Sequence, residues 1–288
     1  MRHGIVSSRW VALALLAFTA RAAFALPPGN IERGKYLMDS VVACGNCHTQ
    51  RGPQGEPLMD KGLSGGMVFE EKMFRAVAPN ITPDPETGIG KWTDDQLAKA
   101  IREGIRPDGS VIGPPMPIGF YRHISDTDLA AIVAYLRAQP PVKHAVEKSK
   151  FNMPLPASYG PPVKSVKAPP AGRTVAYGKY LTDIGHCMDC HTPRDDKGML
   201  VKGKVGAGGQ VFPGPWGESV SRNLTPDATG LKGWTDEQIA HSIRTGTNRE
   251  GQPYKPPMAF DWYRNIGDDD MAAIVKYLKS LKPIKMGG

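Results

Sequence analysis

The chain of 288 residues is long enough for two domains of ordinary size, and its four cysteines are few enough to follow one by one. Its formal charge of +8 falls to +5 when residues 1–25, which hold three arginines and no acid, are set aside; with no long Lys/Arg block, this gives no nucleic-acid surface. Glycine (33) and proline (27) make about a fifth of the chain, against roughly 12% in average usage, which excludes long uninterrupted helices and predicts short ones joined by long loops.

The N-terminus carries Arg2, His3 and Arg9, then the apolar run Trp10 to Ala20, then Ala23-Phe24-Ala25 ahead of Leu26-Pro27-Pro28. A basic start, a short apolar stretch and a small-residue site predict a secretory signal peptide over residues 1–25, cut after Ala25. The run is shorter than the roughly 20 residues a spanning helix needs, and no later stretch resembles a transmembrane helix. The expectation is a periplasmic protein with no transmembrane segment in its mature chain.

Two domains follow, over residues 30–139 and 173–283, separated by a Pro-rich linker at 140–172 that has no sustained apolar period and is expected to run extended along the surface. The domains are copies. Gly34-Lys-Tyr-Leu37 returns as Gly178-Lys-Tyr-Leu181, Asn80-Ile-Thr-Pro-Asp84 as Asn223-Leu-Thr-Pro-Asp227, and Trp92-Thr-Asp-Asp-Gln96 as Trp234-Thr-Asp-Glu-Gln238. A period this long marks a duplicated domain and not a solenoid. In each copy a short helix is expected to open at Gly34 or Gly178. Thr93 and Thr235 each begin a Thr-x-x-Gln capping box, and final amphipathic helices are predicted from about Asp126 to Arg137 and Asp268 to Leu281.

All four cysteines lie in Cys44-Gly-Asn-Cys47-His48 and Cys187-Met-Asp-Cys190-His191. On one turn of helix, residues three and four apart share a face, so both thiols and the imidazole point one way. Cys-x-x-Cys-His is the attachment signal of c-type haem: the thiols form thioethers and the histidine reaches the iron. A thioredoxin-like dithiol leaves the histidine unexplained. A four-cysteine zinc site wants its pairs closer than the 139 residues between Cys47 and Cys187. A disulfide within either pair closes too small a loop to stabilise much.

The repeat also sorts candidates for the iron's other face. Of twelve methionines, one pair occupies equivalent positions: Met116 in Gly113-Pro-Pro-Met-Pro117 and Met258 in Lys255-Pro-Pro-Met-Ala259. Flanking prolines stiffen the loop that carries each thioether, and methionine sulfur suits reduced iron. Histidine has no such pair, since His123 faces Asn265 and His241 faces Lys99; His123 stays as a candidate for one haem alone.

With Cys-x-x-Cys-His, a Trp-bearing middle helix, a Pro-flanked Met and an amphipathic last helix in that order, each half resembles a class I cytochrome c domain. The whole resembles diheme cytochromes c and the cytochrome subunits of periplasmic alcohol- and aldehyde-type dehydrogenases. The resemblance implies an all-α fold of two tandem domains, each wrapped around a covalent haem c, with the last helix crossing the first near Gly34 and Gly178 beside Tyr135 and Tyr277. It leaves open which carbonyl orients His48 or His191, because Pro53, Pro57 and Pro193 do not match between the halves. The expected function is single-electron transfer between redox partner proteins, with a dehydrogenase as donor and an oxidase or another cytochrome as acceptor, and no catalytic residues of its own. A haem enzyme such as a peroxidase or a sulfur-compound oxidoreductase is the alternative, with Glu70, Glu71 and His123 as its candidate polar groups. A non-catalytic haem-scaffolding subunit is a third reading.

Overall fold

The computed structural model describes residues 1, 26–214 and 216–287, so the predicted signal segment lies outside the described residues apart from Met1. Helix α1 (Ile31–Met38) is opened by Asn30, whose side-chain oxygen accepts from the Arg33 N–H at 2.9 Å. Gly34 therefore does not open the helix but sits inside it. It is glycine because α1 crosses the terminal helix α5 (Asp126–Arg137) there: a Cβ would lie 1.9 Å from the Ala131 carbonyl oxygen and 2.8 Å from Tyr135 Cβ. The second half repeats the crossing between α6 (Val175–Ile184) and α10 (Asp268–Ser280), where a Cβ on Gly178 would lie 1.9 Å from Ala273 O and 2.9 Å from Tyr277 Cβ. Backbone contact at that range needs a residue without a side chain.

Between these pairs stand the short turns of the expected attachment motifs, α2 (Gly45–His48) and α7 (Cys187–Cys190), and the middle helices α3 (Asp94–Glu103) and α8 (Asp236–Thr245). Both capping boxes form: Thr93 and Thr235 each accept from the third helical N–H at 3.2 Å, while Gln96 and Gln238 accept the cap N–H at 2.9 and 3.0 Å. Each middle helix is tied to the start of its terminal helix by an ion pair of 2.8 Å, Arg102 to Asp126 and Arg244 to Asp268. Single-turn helices α4 (Ile118–Tyr121) and α9 (Phe260–Tyr263) follow the two methionine loops. One apolar core runs through both halves, from Leu37, Leu129 and Ile132 to Leu181, Ile274 and Leu278. Burying each such side chain stabilises the fold by about 1.5–3 kcal/mol.

The expectation of an all-α fold needs correction. Ten α-helices among the described residues are joined by two small antiparallel sheets. Strand β1 (Val68–Glu71) pairs with β2 (Phe74–Val77), and β4 (Val211–Gly214) pairs with β5 (Gly217–Val220). The Val-Phe dipeptides favour extended backbone, and the chain must double back between the attachment turn and the middle helix, so a hairpin satisfies its N–H and C=O groups.

The linker lies along the first half and is held there. Its strand β3 (Lys150–Phe151) adds to β2 as a third strand, the Tyr159 hydroxyl donates to Ile112 O at 2.7 Å, and Asn80 Nδ2 donates to Val142 O at 2.7 Å. Phe151 lies directly on Gly113, at the base of the Pro-Pro-Met116 loop. The equivalent position in the second half is the exposed Lys255, whose side chain would exclude such a strap.

Candidate functional site

Each attachment turn begins with a residue in the left-handed region, Ala43 at φ 50° and His186 at φ 45°. For residues with a side chain this conformation is sparsely populated, and it occurs here at equivalent repeat positions. It redirects the chain from α1 or α6 into the turn. Cys44, Cys47, Cys187 and Cys190 are all free thiols. Burial pushes Cys44, Cys187 and Cys190 up to about 12 and Cys47 to about 11. Such surroundings disfavour a thiolate and suit an uncharged sulfur.

The histidine that ends each motif is oriented by a backbone carbonyl. His48 Nδ1 stands 2.9 Å from Pro79 O, and His191 Nδ1 stands 2.7 Å from Arg222 O. Desolvation by burial lowers both imidazoles, so they are neutral, with Nδ1–H donating and Nε2 left as a lone-pair donor. These are the orienting carbonyls left open by the sequence, and neither comes from Pro53, Pro57 or Pro193. The signal was present in the repeat but hidden by chemistry. Pro79 and Arg222 are equivalent positions of unrelated residue type, because only the backbone is used.

What holds those carbonyls is the repeated Asn-x-Thr motif. Asn80 Oδ1 accepts from the Thr82 N–H (2.9 Å) and hydroxyl (2.7 Å), and Asn223 Oδ1 accepts from the same two groups of Thr225 at 2.8 Å each. Thr87 and Thr229 accept from the two asparagine amides. The loop is thereby pinned one residue after each orienting carbonyl.

Both attachment turns open on a cavity of about 1060 Å³ that extends through the two halves. Its wall contains Cys44, Cys47 and His48 with Met116, and Cys187, Cys190 and His191 with Met258. Leu97, Ile101, Ile132 and Leu136 supply apolar wall in the first half, and their repeat partners do so in the second. The volume exceeds the roughly 300–1,000 Å³ of a pocket for one drug-sized ligand. Paired thiols, a neutral imidazole with a free nitrogen, a thioether and an aliphatic wall, present twice, fit two covalent haems.

Among the methionines of the described residues, Met116 and Met258 line the cavity; Met59, Met73 and Met199 are exposed. The loops match in backbone as well: the N–H of Ile118 donates to Met116 O at 2.8 Å and that of Phe260 to Met258 O at 3.0 Å. His123, Glu70 and Glu71 are exposed and lie outside the cavity wall, so the polar groups considered for a haem enzyme are not brought to the site.

The family model described as "Cytochrome C oxidase, cbb3-type, subunit III" matches residues 29–136, and the one described as "Cytochrome c" matches residues 175–282. A "Diheme cytochrome c-type" protein of Cereibacter sphaeroides is 32% identical over 278 residues, covering 91% of this chain and 89% of that protein. The "Alcohol dehydrogenase (quinone), cytochrome c subunit" of Gluconobacter oxydans is 30% identical and aligns with 100% of this chain but 62% of its own length. The "Gluconate 2-dehydrogenase cytochrome c subunit" of Pantoea cypripedii is 30% identical over 93% of this chain and 63% of its own. The chain thus spans somewhat less than two thirds of these dehydrogenase subunits. With duplicated attachment turns on a shared cavity and a relative similar across nearly its whole length, the chain belongs to the diheme c-type cytochromes, electron-transfer proteins with two covalently bound haem c groups.

Proposed function

We propose that this protein is a periplasmic electron carrier, or the cytochrome subunit of a dehydrogenase, taking single electrons from a dehydrogenase and passing them to an oxidase or another cytochrome of a respiratory chain. Residues 1–25 are its signal peptide, removed on export, and residues 30–139 and 173–283 are its two haem domains, joined by residues 140–172. Among the described residues no helix is long and apolar enough to cross a membrane; association with a membrane through a partner belongs to the same proposal.

In this reading Cys44 and Cys47 would hold one haem through thioethers, and His48 and Met116 would ligate its iron. Cys187, Cys190, His191 and Met258 would serve the second. Bound haem c supplies a one-electron iron couple. The chain supplies the rest. Pro79 and Arg222 carbonyls lock each imidazole in the tautomer that leaves Nε2 free. The aliphatic wall keeps water away, and a soft Met donor favours the reduced metal.

The observation that carries the proposal is the matched donor set: Met116 and Met258, equivalent in the repeat, share the cavity wall with the two histidines. Two irons closed by His and Met have no position for a substrate, which separates a carrier from an oxidase or peroxidase. Dehydrogenase association is suggested by the names of two relatives. The test is an absorption spectrum of oxidised and reduced holoprotein, with and without carbon monoxide or peroxide. Two low-spin haems with the weak Met-to-ferric-iron band are expected. A high-spin haem, or rapid binding of either ligand, refutes the proposal.

A further inference from the structure

The two halves meet through polar contacts that recur when the halves are exchanged. The Tyr36 hydroxyl on α1 donates to Asp270 on α10 at 2.8 Å and accepts the N–H of Gly267 at 3.1 Å. The Tyr180 hydroxyl on α6 donates to Asp128 on α5 at 2.6 Å, and its oxygen lies 3.2 Å from the N–H of Ser125. Tyr36 and Tyr180 are equivalent in the repeat, as are Asp128 and Asp270, and Ser125 and Gly267. A contact in which one residue meets a second, and the second's copy meets the first's copy, defines an isologous two-fold interface. Here both units belong to one chain. Burial raises Tyr36 to about 12 and Tyr180 further, so each hydroxyl keeps its proton at physiological pH.

One cation breaks the symmetry. Arg33 forks onto Asp128 at 2.9 and 3.1 Å and stands 4.0 Å from Asp270, so it serves both carboxylates. Its repeat counterpart is Tyr177, whose hydroxyl accepts from the same guanidinium at 3.4 Å.

The same interface carries the attachment turns. Trp262 on α9 lies so close to Gly45, between Cys44 and Cys47, that a Cβ there would meet its ring at 2.7 Å. Tyr121 on α4 meets His186, the residue before Cys187, edge-on with centroids 5.9 Å apart. Each turn is touched by the short helix that follows the other half's methionine loop. Apolar burial alone holds two surfaces together without fixing their register, whereas directional hydrogen bonds select one arrangement.

We propose that Tyr36 and Tyr180 are positioning residues: their reciprocal hydrogen bonds to Asp270 and Asp128 set the separation between the two haem-binding turns. This rests on the ligand sets given under the proposed function. The quantity set is the distance over which single electrons pass within the molecule.

The test is the distribution of iron–iron distances in the oxidised, haem-loaded protein, read by pulsed electron paramagnetic resonance. In Tyr36→Phe/Tyr180→Phe the buried rings remain and only the hydroxyls go. The distribution should broaden about twofold, as expected when directional contacts are lost and apolar ones kept, while haem content and optical spectra match the parent protein. A distribution identical to the parent's overturns the proposal. So does equal broadening in Lys179→Ala, an exposed residue on the same helix as Tyr180. If the double variant does not accumulate, Tyr36→Phe alone should broaden the distribution to a smaller degree, and no change there also overturns it. A parent protein without two attached haems would instead refute the functional reading, before any distance is measured.

Discussion

Replacing Gly34 by Ala tests the helix crossing that supports the first haem domain. An ideal Cβ at Gly34 falls 1.9 Å from Ala131 O, and real Cβ contacts are essentially never below 3.0 Å, so α1 and α5 must part by roughly 1.1 Å. That opens the packing around Leu37, Met38, Leu129 and Ile132, all almost fully buried. Overpacking of this kind costs about 1–3 kcal/mol and at times more, while alanine recovers up to about 1 kcal/mol of helix propensity. Since the obstacle is backbone and not a flexible side-chain end, the upper part of the range applies. The net loss should be about 2 kcal/mol, with a similar loss for Gly178→Ala, where the same 1.9 Å approach is made to Ala273 O. Gly119→Ala is the control, because a Cβ there meets nothing within 4 Å. The assay is denaturant unfolding of holoprotein, comparing midpoints at constant slope. A loss below about 0.5 kcal/mol at either crossing glycine, within the spread of ordinary surface substitutions, would refute the packing argument.

Three other outcomes are expected. Met258→Ala should open the second haem alone, giving one high-spin centre that binds carbon monoxide, and Met116→Ala should do so for the first; unchanged spectra would remove the ligand assignment. Cys187→Ala/Cys190→Ala should halve the covalently bound haem, measured as the pyridine haemochrome per protein, and retention of both haems would contradict the attachment sites. At Asp126 burial pushes the carboxyl up, but hydrogen bonds from Ser165, Arg102 and the Val166 N–H outweigh it and hold it below the usual range. A carboxylate depressed on folding contributes stability above its unfolded value, about pH 4, and loses that contribution as pH falls through the folded value. Asp126→Asn should therefore destabilise the protein at neutral pH and flatten the acid limb of its stability profile. An acid limb as steep as that of the parent would show that Asp126 is not responsible.

Much of the candidate site was legible in the sequence because its chemistry is carried by side-chain type at short spacing. Cys-x-x-Cys-His identifies itself within five residues, and the repeat separated Met116 and Met258 from the other methionines. The capping boxes at Thr93 and Thr235 were equally local, each closing within three residues. The hairpins were missed because Val68 and Phe69 are too short a stretch to reveal a strand before its partner is known. Gly34 was misplaced as the opening residue of its helix, whereas the crossing that the resemblance implied there does form; what demands glycine is the Ala131 carbonyl of a helix about a hundred residues away.

Residue type and repeat spacing thus determined the two Cys-x-x-Cys-His motifs, the equivalence of Met116 and Met258 on which the proposed ligand set rests, and the duplicated architecture. Tertiary structure decided what depends on backbone atoms and distant contacts. It gave the Pro79 and Arg222 carbonyls that orient the histidines, which no side-chain pattern encodes because every residue has a carbonyl. It also gave the strap of Phe151 on Gly113, and the exchange of Tyr36 and Tyr180 onto the opposite half's aspartates. Those contacts join residues far apart in sequence, where the spacing carries no information until the chain has folded.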